Sequence, residues 1–427
     1  MVSAPTVTTD LADLRERWFA AVREELPGAL ELRRAVHADP CLSGQEEPTA
    51  RLVQEALGVP LERVAGTGRV GRLGPARGPS VLLRGELDAL PVREATGAAY
   101  ASRTGHMHAC GHDVHLAALV AVVRAAARLD LPVGLVPLLQ PREETYPSGA
   151  QDAVASGALQ RYAVAAAVGA HVHPGVPAGS VATGAGVVNA AADEIEVVLR
   201  GRGGHGAYPH HAADPVAAIS HVVLGLPELM RRTVSPMRPS VLSVGHLQAG
   251  QPSANVLPAE ARLLATLRTT DPDDRVRLQE AVRIFAARQA EAFGLEAEVT
   301  VTSGEPVLVN DPAVVERMDA WLGRSGLVAA EPMRSLGADD FSFFGEVVPS
   351  VMSFVGVRVE GHDVPPPLHH PEFLPTDDAV GHVAGALVCG YLAAAELLAE
   401  DLLPRPAGVP RDAHPSVGAV EEWGAAG

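Results

Sequence analysis

Apolar residues along the first two hundred positions alternate between helix-like and strand-like patterns. In residues 10–36 they recur at helical spacing, and Pro27 is predicted to divide this stretch into two helices. The next apolar runs predict strands at 81–85, 132–140 and 162–172, with a long helix at 113–129. Strands that alternate with helices are typical of an α/β fold, in which a mixed, largely parallel sheet is flanked by helices.

From residue 192 the pattern changes to strand, helix, strand, strand, helix, strand. This β-α-β-β-α-β order is that of the ferredoxin-like unit, which folds as a module of its own. We therefore predict an inserted domain at 192–303 between two parts of a first domain, 1–191 and 304–400. The last stretch, 401–427, is rich in Pro, Gly and Ala without periodicity, and is predicted to be a disordered tail.

The net charge of the chain argues against two classes of binding partner, nucleic acids and anionic membranes. A formal net charge of −17 over 427 residues argues against nucleic acids and anionic membranes, because both reward a basic surface. All 34 basic residues are arginine and none is lysine, which excludes Schiff-base, pyridoxal-type and Walker-type lysine chemistry.

Cysteine usage and the absence of a targeting pattern favour the cytoplasm. The three cysteines, Cys41, Cys110 and Cys389, are odd in number and far apart, which fits reduced thiols better than a disulfide framework. The N-terminus has no basic start followed by an apolar run, and we expect no apolar stretch of the roughly 20 residues that span a bilayer.

A cluster of metal-binding residue types occupies positions 105–115, GHMHACGHDVH, with one thiol and four imidazoles. Cys110 and His112 stand two residues apart across a glycine, so in a tight loop both side chains can converge on one cation. Two alternatives remain: a buried thiol beside a surface histidine, and a thiol nucleophile paired with a histidine.

Acidic residues and a further histidine follow the predicted strands. Asp88 comes after the first strand, Glu143 and Glu144 after the second, and His171 at the end of the third. In open α/β sheets, ligands bind outside the carboxyl ends of the strands. Adjacent glutamates on an irregular segment point in different directions, so one can bind metal while the other faces a water molecule. A solvated loop pair is the alternative.

Seven motifs, in the right order over nearly the whole chain, resemble the aminoacylase/carboxypeptidase family of metal-dependent amidohydrolases. They are most similar to its branch of N-acyl-amino-acid, hippurate and auxin-conjugate hydrolases. The motifs are MHACGHD (107–113), QPREE (140–144), GAHV (169–172), GGHGAYPHHAADP (203–215), NVLP (255–258), LGADDF (336–341) and LHHPEF (368–373). The resemblance implies a dinuclear metallopeptidase-like catalytic domain, a lid that also forms a homodimer, and an N-acyl amino acid or related small amide as substrate.

The resemblance also implies a set of catalytic residues. Two divalent ions, zinc or alternatively manganese, cobalt or nickel, would be held by Cys110, His112, Glu144, His171 and His369. Cys110 would bridge the two ions, and His369 is preferred to His370 on the register of the motif. Glu143 would be the general base and acid, and Asp88 would orient a ligand.

The resemblance also implies substrate-binding residues, three in the inserted domain and one in the last quarter of the chain. His205 would reach the active site of the partner subunit and stabilise the oxyanion. Asn255 and Arg268 would hold the free carboxylate of the substrate, although Arg268 could equally form an ordinary ion pair. Gly337 would line the pocket.

The sequence departs from the family pattern at three positions. Glu86 stands in place of an aspartate, Arg142 in place of an alanine and Asp339 in place of a glutamate. Arg142 brings a cation next to the predicted catalytic pair, where it could lower carboxylate pKa values or meet an acidic acyl group. Two other functions stay open: a dipeptidase or carboxypeptidase on the same fold, and a binding protein that captures a ligand without hydrolysis.

Overall fold

The computed structural model of the chain describes residues 10–358, 366–400 and 403. Within these residues the α-helices are α1 (Leu11–Ala38), α2 (Glu47–Leu57), α3 (His112–Ala126), α4 (Gly149–Ala155), α5 (Ala158–Arg161), α6 (Pro215–Thr233), α7 (Pro272–Ala292), α8 (Pro312–Arg324), α9 (Ser342–Gly345) and α10 (Asp378–Ala399). The strands are β1 (Glu62–Val64), β2 (Gly68–Val70), β3 (Ser80–Glu86), β4 (Gly134–Gln140), β5 (Val164–Pro177), β6 (Ser180–Ala182), β7 (Gly186–Asn189), β8 (Ala191–Arg200), β9 (Gly204–His205), β10 (Ser240–Ala249), β11 (Val256–Leu257), β12 (Glu260–Thr269), β13 (Glu296–Ser303), β14 (Leu308–Asn310), β15 (Val328–Ala329) and β16 (Ser350–Arg358). The predicted tail at 401–427 lies outside the described residues, except for Leu403.

An eight-stranded sheet forms the centre of the catalytic part, in the order β1-β2-β4-β3-β5-β16-β6-β15. The neighbours β4, β3, β5 and β16 are parallel, while β1, β2 and β6 pair antiparallel. Every residue of β3 and β4 is buried, as expected for parallel strands that are covered on both faces. The predicted α/β fold with a largely parallel sheet is therefore confirmed.

Helix α1 runs unbroken through Pro27, so the predicted break there was wrong. Buried residues on both sides of the proline, Val22 and Ala29, belong to the core that α1 shares with α3 and α10. In that core the ring of Trp18 meets the ring of Tyr391 edge-on, with 5.0 Å between centroids. This packing outweighs the single backbone hydrogen bond that a proline removes from a helix.

Helix α10 is long and apolar enough, by length and composition alone, to cross a membrane. The expectation that no stretch reaches that length was wrong, because the helix combines many alanine, valine and leucine residues with few charges. However, 83% of its most apolar window is buried inside the protein. In this fold α10 is a core helix that packs on α1, α3, α8 and the sheet.

The segment from β8 to β13 folds around a sheet of its own, in the order β10-β12-β8-β13, with all pairs antiparallel. Helices α6 and α7 cover one face of this sheet and share a separate apolar core with it. The segments that lead into and out of this unit pair with each other, since the Gly304 amide donates to the Ala192 carbonyl at 2.9 Å. The limits of this domain and its use as a lid stay predictions.

Candidate active site

A cavity of about 510 Å³ lies beyond the carboxyl end of β4 and beside His171 and His173, and Arg268 of strand β12 in the inserted unit contributes to its wall. Strand β5 continues past the predicted end at residue 172 to Pro177, so His171 lies within the strand. The loops after β4 and before α3 supply its acidic and thiol groups, and the loop that precedes α9 supplies the opposite wall. Its lining includes Cys110, Glu143, Glu144, Tyr146, His171, His173, Asn189, Arg268, Glu305, Gly337, Asp339, Phe354 and His369.

Gly111 makes the predicted convergence of Cys110 and His112 possible. It has a φ of +84° and caps α3, so Cys110 precedes the helix and His112 begins it. A Cβ atom at Gly111 would lie 2.3 Å from Cγ2 of Val172, which leaves room for glycine alone. In this arrangement Cys110 Sγ lies 3.4 Å from His171 Nε2.

Backbone carbonyls fix the tautomers of His112 and His171. Nδ1 of His112 donates to the Asp88 carbonyl at 2.8 Å, and Nδ1 of His171 donates to the Val172 carbonyl at 2.7 Å. Each Nε2 therefore keeps a lone pair, which is the state of imidazole that binds metals. His112 Nε2 lies 3.6 Å from Glu143 Oε2.

Two buried atoms face each other without a hydrogen-bond partner among the described residues. They are Nε2 of His112 and Oε1 of Glu144, which lie 3.9 Å apart. Buried polar atoms in folded proteins are almost always partnered. A cation bound between them would satisfy both, so the side chains present fit a divalent metal.

The predicted ligands Cys110, Glu144 and His369 form a second group, with donor atoms within 4.8 Å of one another. His369 Nε2 lies 3.4 Å from Glu144 Oε1, and the His369 amide donates to the Ala109 carbonyl at 2.8 Å. The neighbouring His370 accepts from the Glu372 amide at 3.2 Å, which engages its Nδ1 in a local turn. His369 rather than His370 thus belongs to this group of donors, and Cys110, the third member, also lies 3.4 Å from His171 Nε2.

Asp88 accepts hydrogen bonds from two of the predicted metal ligands, His112 and Glu144. Its carbonyl receives the His112 hydrogen bond, and its Oδ2 accepts from the Glu144 amide at 3.0 Å and from Ser43 Oγ at 2.7 Å. Its Oδ1 lies 3.7 Å from His112 Nδ1, so the main chain rather than the carboxylate fixes that ring. The carboxylate instead positions the backbone of the glutamate pair.

Glu143 and Glu144 have opposite electrostatic surroundings although they are adjacent. Burial, and then the charge of Glu144, raise the pKa of Glu143 well above its usual range. Burial opposes ionisation of Glu144, but the nearby side chains of His369 and His112 lower its pKa. Pairs of carboxyl groups with diverging pKa values are typical of sites where one accepts a proton and the other stays charged.

The remaining predicted residues fall into two places. Arg268 and Gly337 line the cavity. His205 and Asn255 are exposed and do not line it; they lie together in the inserted unit, where β9 pairs with β11 and the Gly206 amide donates to the Asn255 carbonyl at 2.8 Å.

Arg142 does not meet the cavity, so the expectation that it could receive an acidic acyl group was wrong. Its guanidinium instead pairs with Asp152 of α4 and donates to the Pro147 carbonyl at 3.2 Å. Sequence reasoning also missed Tyr146 and Glu305 in the cavity wall, since neither belongs to a recognisable motif.

The sequence pattern of peptidase family M20/M25/M40 matches residues 82–389. This chain belongs to that family. N-acetyl-L-cysteine deacetylase of Bacillus subtilis is 34% identical over 389 residues, covering 88% of this chain and 90% of the relative. Thermostable carboxypeptidase 2 of Saccharolobus solfataricus is 32% identical over 390 residues, covering 88% and 98%.

A solved structure of a related protein supports a site for two metal ions. The crystal structure of the Bacillus subtilis YxeP protein, described as a dinuclear metal-binding peptidase of the M20 family, superimposes with a TM-score of 0.74 at 27% identity. It covers 88% of this chain and 99% of that chain. The M20 protein described here is accordingly a metal-dependent hydrolase of amide or peptide bonds, and its clustered thiol, imidazole and carboxylate donors fit two divalent ions.

Proposed function

We propose that this M20 hydrolase removes the acyl group from N-acyl amino acids or related small amides in the cytoplasm. The observation that carries the proposal is the Glu143–Glu144 pair: both side chains line the cavity, Glu144 lies close to Cys110 and His369, and the pKa values of the two carboxyl groups are shifted in opposite directions. Three free thiols, two of them buried, agree with a reducing compartment.

Cys110, His112, Glu144, His171 and His369 would hold two divalent ions, with zinc favoured by the thiolate and the imidazoles. Such ions polarise the scissile carbonyl and make water more acidic. Glu143 takes a proton from the attacking water as the carbon–oxygen bond forms. It then donates that proton to the amine nitrogen as the carbon–nitrogen bond breaks, which yields a carboxylic acid and a free amine.

Arg268 is proposed to bind the carboxylate of the amino-acid part. It reaches the cavity from β12, and Thr266 Oγ1 accepts from its Nε at 3.1 Å, which leaves the two terminal nitrogens to face a ligand. The fork of a guanidinium matches a carboxylate in a planar, bidentate manner. Gly337 would leave space beside it.

The test combines elemental analysis with a substrate panel. Wild-type protein is expected to contain close to two divalent ions per chain and to hydrolyse N-acetyl or N-benzoyl amino acids. Glu143→Gln is expected to keep the metals and lose turnover, because an amide cannot carry the proton. Full activity of that variant would overturn the mechanism, and metal without turnover on any amide would favour a binding protein.

A second candidate function, dipeptidase or carboxypeptidase, is favoured by the carboxypeptidase among the relatives. The same panel separates the two functions when free dipeptides and peptides are included. A higher kcat/KM for free dipeptides than for N-acyl amino acids would replace the first proposal with this one.

The proposed homodimer forms through the inserted unit and brings His205 of one subunit to the cavity of the other. Two features support it: in the part of the chain that the structure describes, the edge strand β10 pairs on one side only, and exposed apolar residues, among them Leu224 and Met237, lie on the same unit. His205 and Asn255 lie close together, are exposed and do not line the cavity of their own chain.

Mixed subunits test this arrangement. His205→Ala and Glu143→Gln should each be inactive alone. If His205 acts in the partner's site, co-refolded mixtures should regain about a quarter of the wild-type activity, because half of the dimers then contain one complete site. Mixtures that stay inactive although heterodimers form would contradict the role of His205.

A further inference from the structure

Arg84 connects the wall of the cavity with the interior of the sheet. Its side chain, at the end of β3, is buried. Nη1 donates to Asp339 Oδ1 at 2.7 Å, Nη2 donates to Asp340 Oδ1 at 3.2 Å, and Nη2 lies 3.3 Å from Glu86 Oε1. Of these three carboxylates, Asp339 lines the cavity. One guanidinium therefore fixes the cavity wall relative to β3.

Hydrogen bonds continue from Glu86 to a predicted metal ligand. Glu86 Oε2 accepts from His115 Nδ1 at 3.0 Å, and His115 Nε2 accepts from the Val172 amide at 2.9 Å. Because both ring nitrogens of His115 are engaged, this histidine is no ligand. The Val172 carbonyl in turn holds His171 Nδ1 at 2.7 Å. An unbroken series of contacts thus runs from the cavity wall to the imidazole of His171.

Glu86 and Asp339 are two of the three departures from the family pattern, and they meet on the same guanidinium. Compared with that pattern, one carboxylate is a carbon longer and the other a carbon shorter. The summed length of the two side chains that pair with Arg84 is therefore the same as in that pattern. A buried group of four charges is expensive unless its geometry is well matched, which makes side-chain length at these positions a sensitive variable.

We propose that Arg84 is a positioning residue that couples the Asp339 wall of the cavity to the His171 ligand. Displacement of the wall is passed through Glu86 and His115 to the backbone at Val172, and so to the orientation of the imidazole. This inference rests on the proposed metal site. It assigns Asp339, which has no contact with His171, an effect on metal affinity.

Zinc titration of the metal-free full-length protein, in competition with a chromogenic chelator, tests the coupling. Asp339→Asn is expected to weaken the binding of one zinc ion about tenfold, the usual size for groups that orient a metal ligand. Asp319→Asn is the control, because among the described residues its carboxylate accepts from Thr183 Oγ1 alone, away from Arg84. Unchanged zinc affinity in Asp339→Asn, or an equal loss in the control, would overturn the inference.

A length exchange gives the second arm. Glu86→Asp and Asp339→Glu should each weaken zinc binding, whereas the double variant should recover most of the wild-type affinity because the summed length is restored. A double variant no better than the weaker single variant would contradict the matched role of the two carboxylates. If wild-type protein bound no zinc or other divalent ion, the proposed function would fail instead, so the two failures are distinguishable.

Discussion

The hydroxyl of Tyr146 donates a hydrogen bond to the carboxylate of Glu305, and both side chains line the cavity. Tyr146 belongs to the loop that carries the glutamate pair, while Glu305 lies where the chain returns from the inserted unit. Gly304 permits this approach, since a Cβ atom there would lie 2.1 Å from the Tyr146 hydroxyl. Burial, and then Glu305, raise the pKa of Tyr146, so the hydroxyl remains a donor at neutral pH.

Tyr146→Phe is expected to lower kcat/KM about tenfold, because it removes a hydrogen bond to a charged group that holds the loop of the glutamate pair against the segment that follows the inserted unit. Tm should change little, since the tyrosine is 43% exposed. The control is Tyr162→Phe: the hydroxyl of Tyr162 is also near a glutamate, Glu62, which raises its pKa after burial, but it lies away from the cavity. Equal kinetics in the two variants would show that the contact has no part in catalysis.

The sheet could be predicted because its strands are buried on both faces. A run of apolar residues marked 81–85 as a strand, and β3 spans Ser80–Glu86. Pro27 misled the prediction, because local propensity says nothing of the tertiary packing that carries α1 through it. Strand β12 of the inserted unit could likewise be predicted, because its residues alternate between buried and more exposed positions.

Much of the candidate site could be placed because motifs at strand ends converge in this fold. The contact between Tyr146 and Glu305 could not, since the residues are 159 positions apart and neither carries a pattern. The group around Arg84 was equally hidden. Two of its members, Glu86 and Asp339, were noted only as departures from the pattern of the resemblance, and the fact that both pair with one guanidinium required coordinates.

Cys110→Ser is expected to lose at least one metal ion and nearly all activity, because a hydroxyl is a far weaker ligand than a thiolate. Metal content by mass spectrometry and turnover of an N-acyl amino acid are the measurements. Cys41→Ser is the control, since that thiol is only half-buried and lies outside the cavity. A variant that keeps both ions but loses turnover would instead favour Cys110 as a nucleophile.

Gly111→Ala should weaken metal binding and stability together. The alanine would adopt a φ of +84° and press its Cβ against Val172. The left-handed conformation costs about 1 kcal/mol and overpacking about 1–3 kcal/mol more. Gly105→Ala separates the two effects, because Gly105 has a φ of +87° but nothing within 4 Å of its Cβ position. Zinc affinity should fall in the first variant and persist in the second.

Asp113 lies at the centre of a buried ionic group beside the metal-binding loop. Its Oδ2 accepts from Arg33 Nε at 3.0 Å and lies 3.1 Å from His37 Nδ1. Burial opposes ionisation of Asp113, but Arg33 and His37 lower its pKa well below the ordinary value of 3.8. Burial likewise opposes the charge on His37, yet Asp113 and then Glu94 raise its pKa above 6.5.

Asp113→Asn is expected to reduce the free energy of unfolding by about 3 kcal/mol near pH 5.5, because it leaves Arg33 buried without its main partner. The depressed pKa of Asp113 means that its stabilisation is present above pH 3.8 and is lost as the pH falls below that value. The raised pKa of His37 means that its share is present below pH 6.5 and is lost as the pH rises through the folded-state pKa. The difference in unfolding free energy between wild type and variant, measured by urea unfolding from pH 3 to pH 9, should therefore be largest between pH 3.8 and pH 6.5 and shrink on both sides.

The control is a double variant, Arg33→Met with Asp113→Asn, which removes both charges. It should be less destabilised than Asp113→Asn alone if the unpaired arginine is the cause. A difference that does not vary with pH would show that Asp113 contributes shape rather than charge.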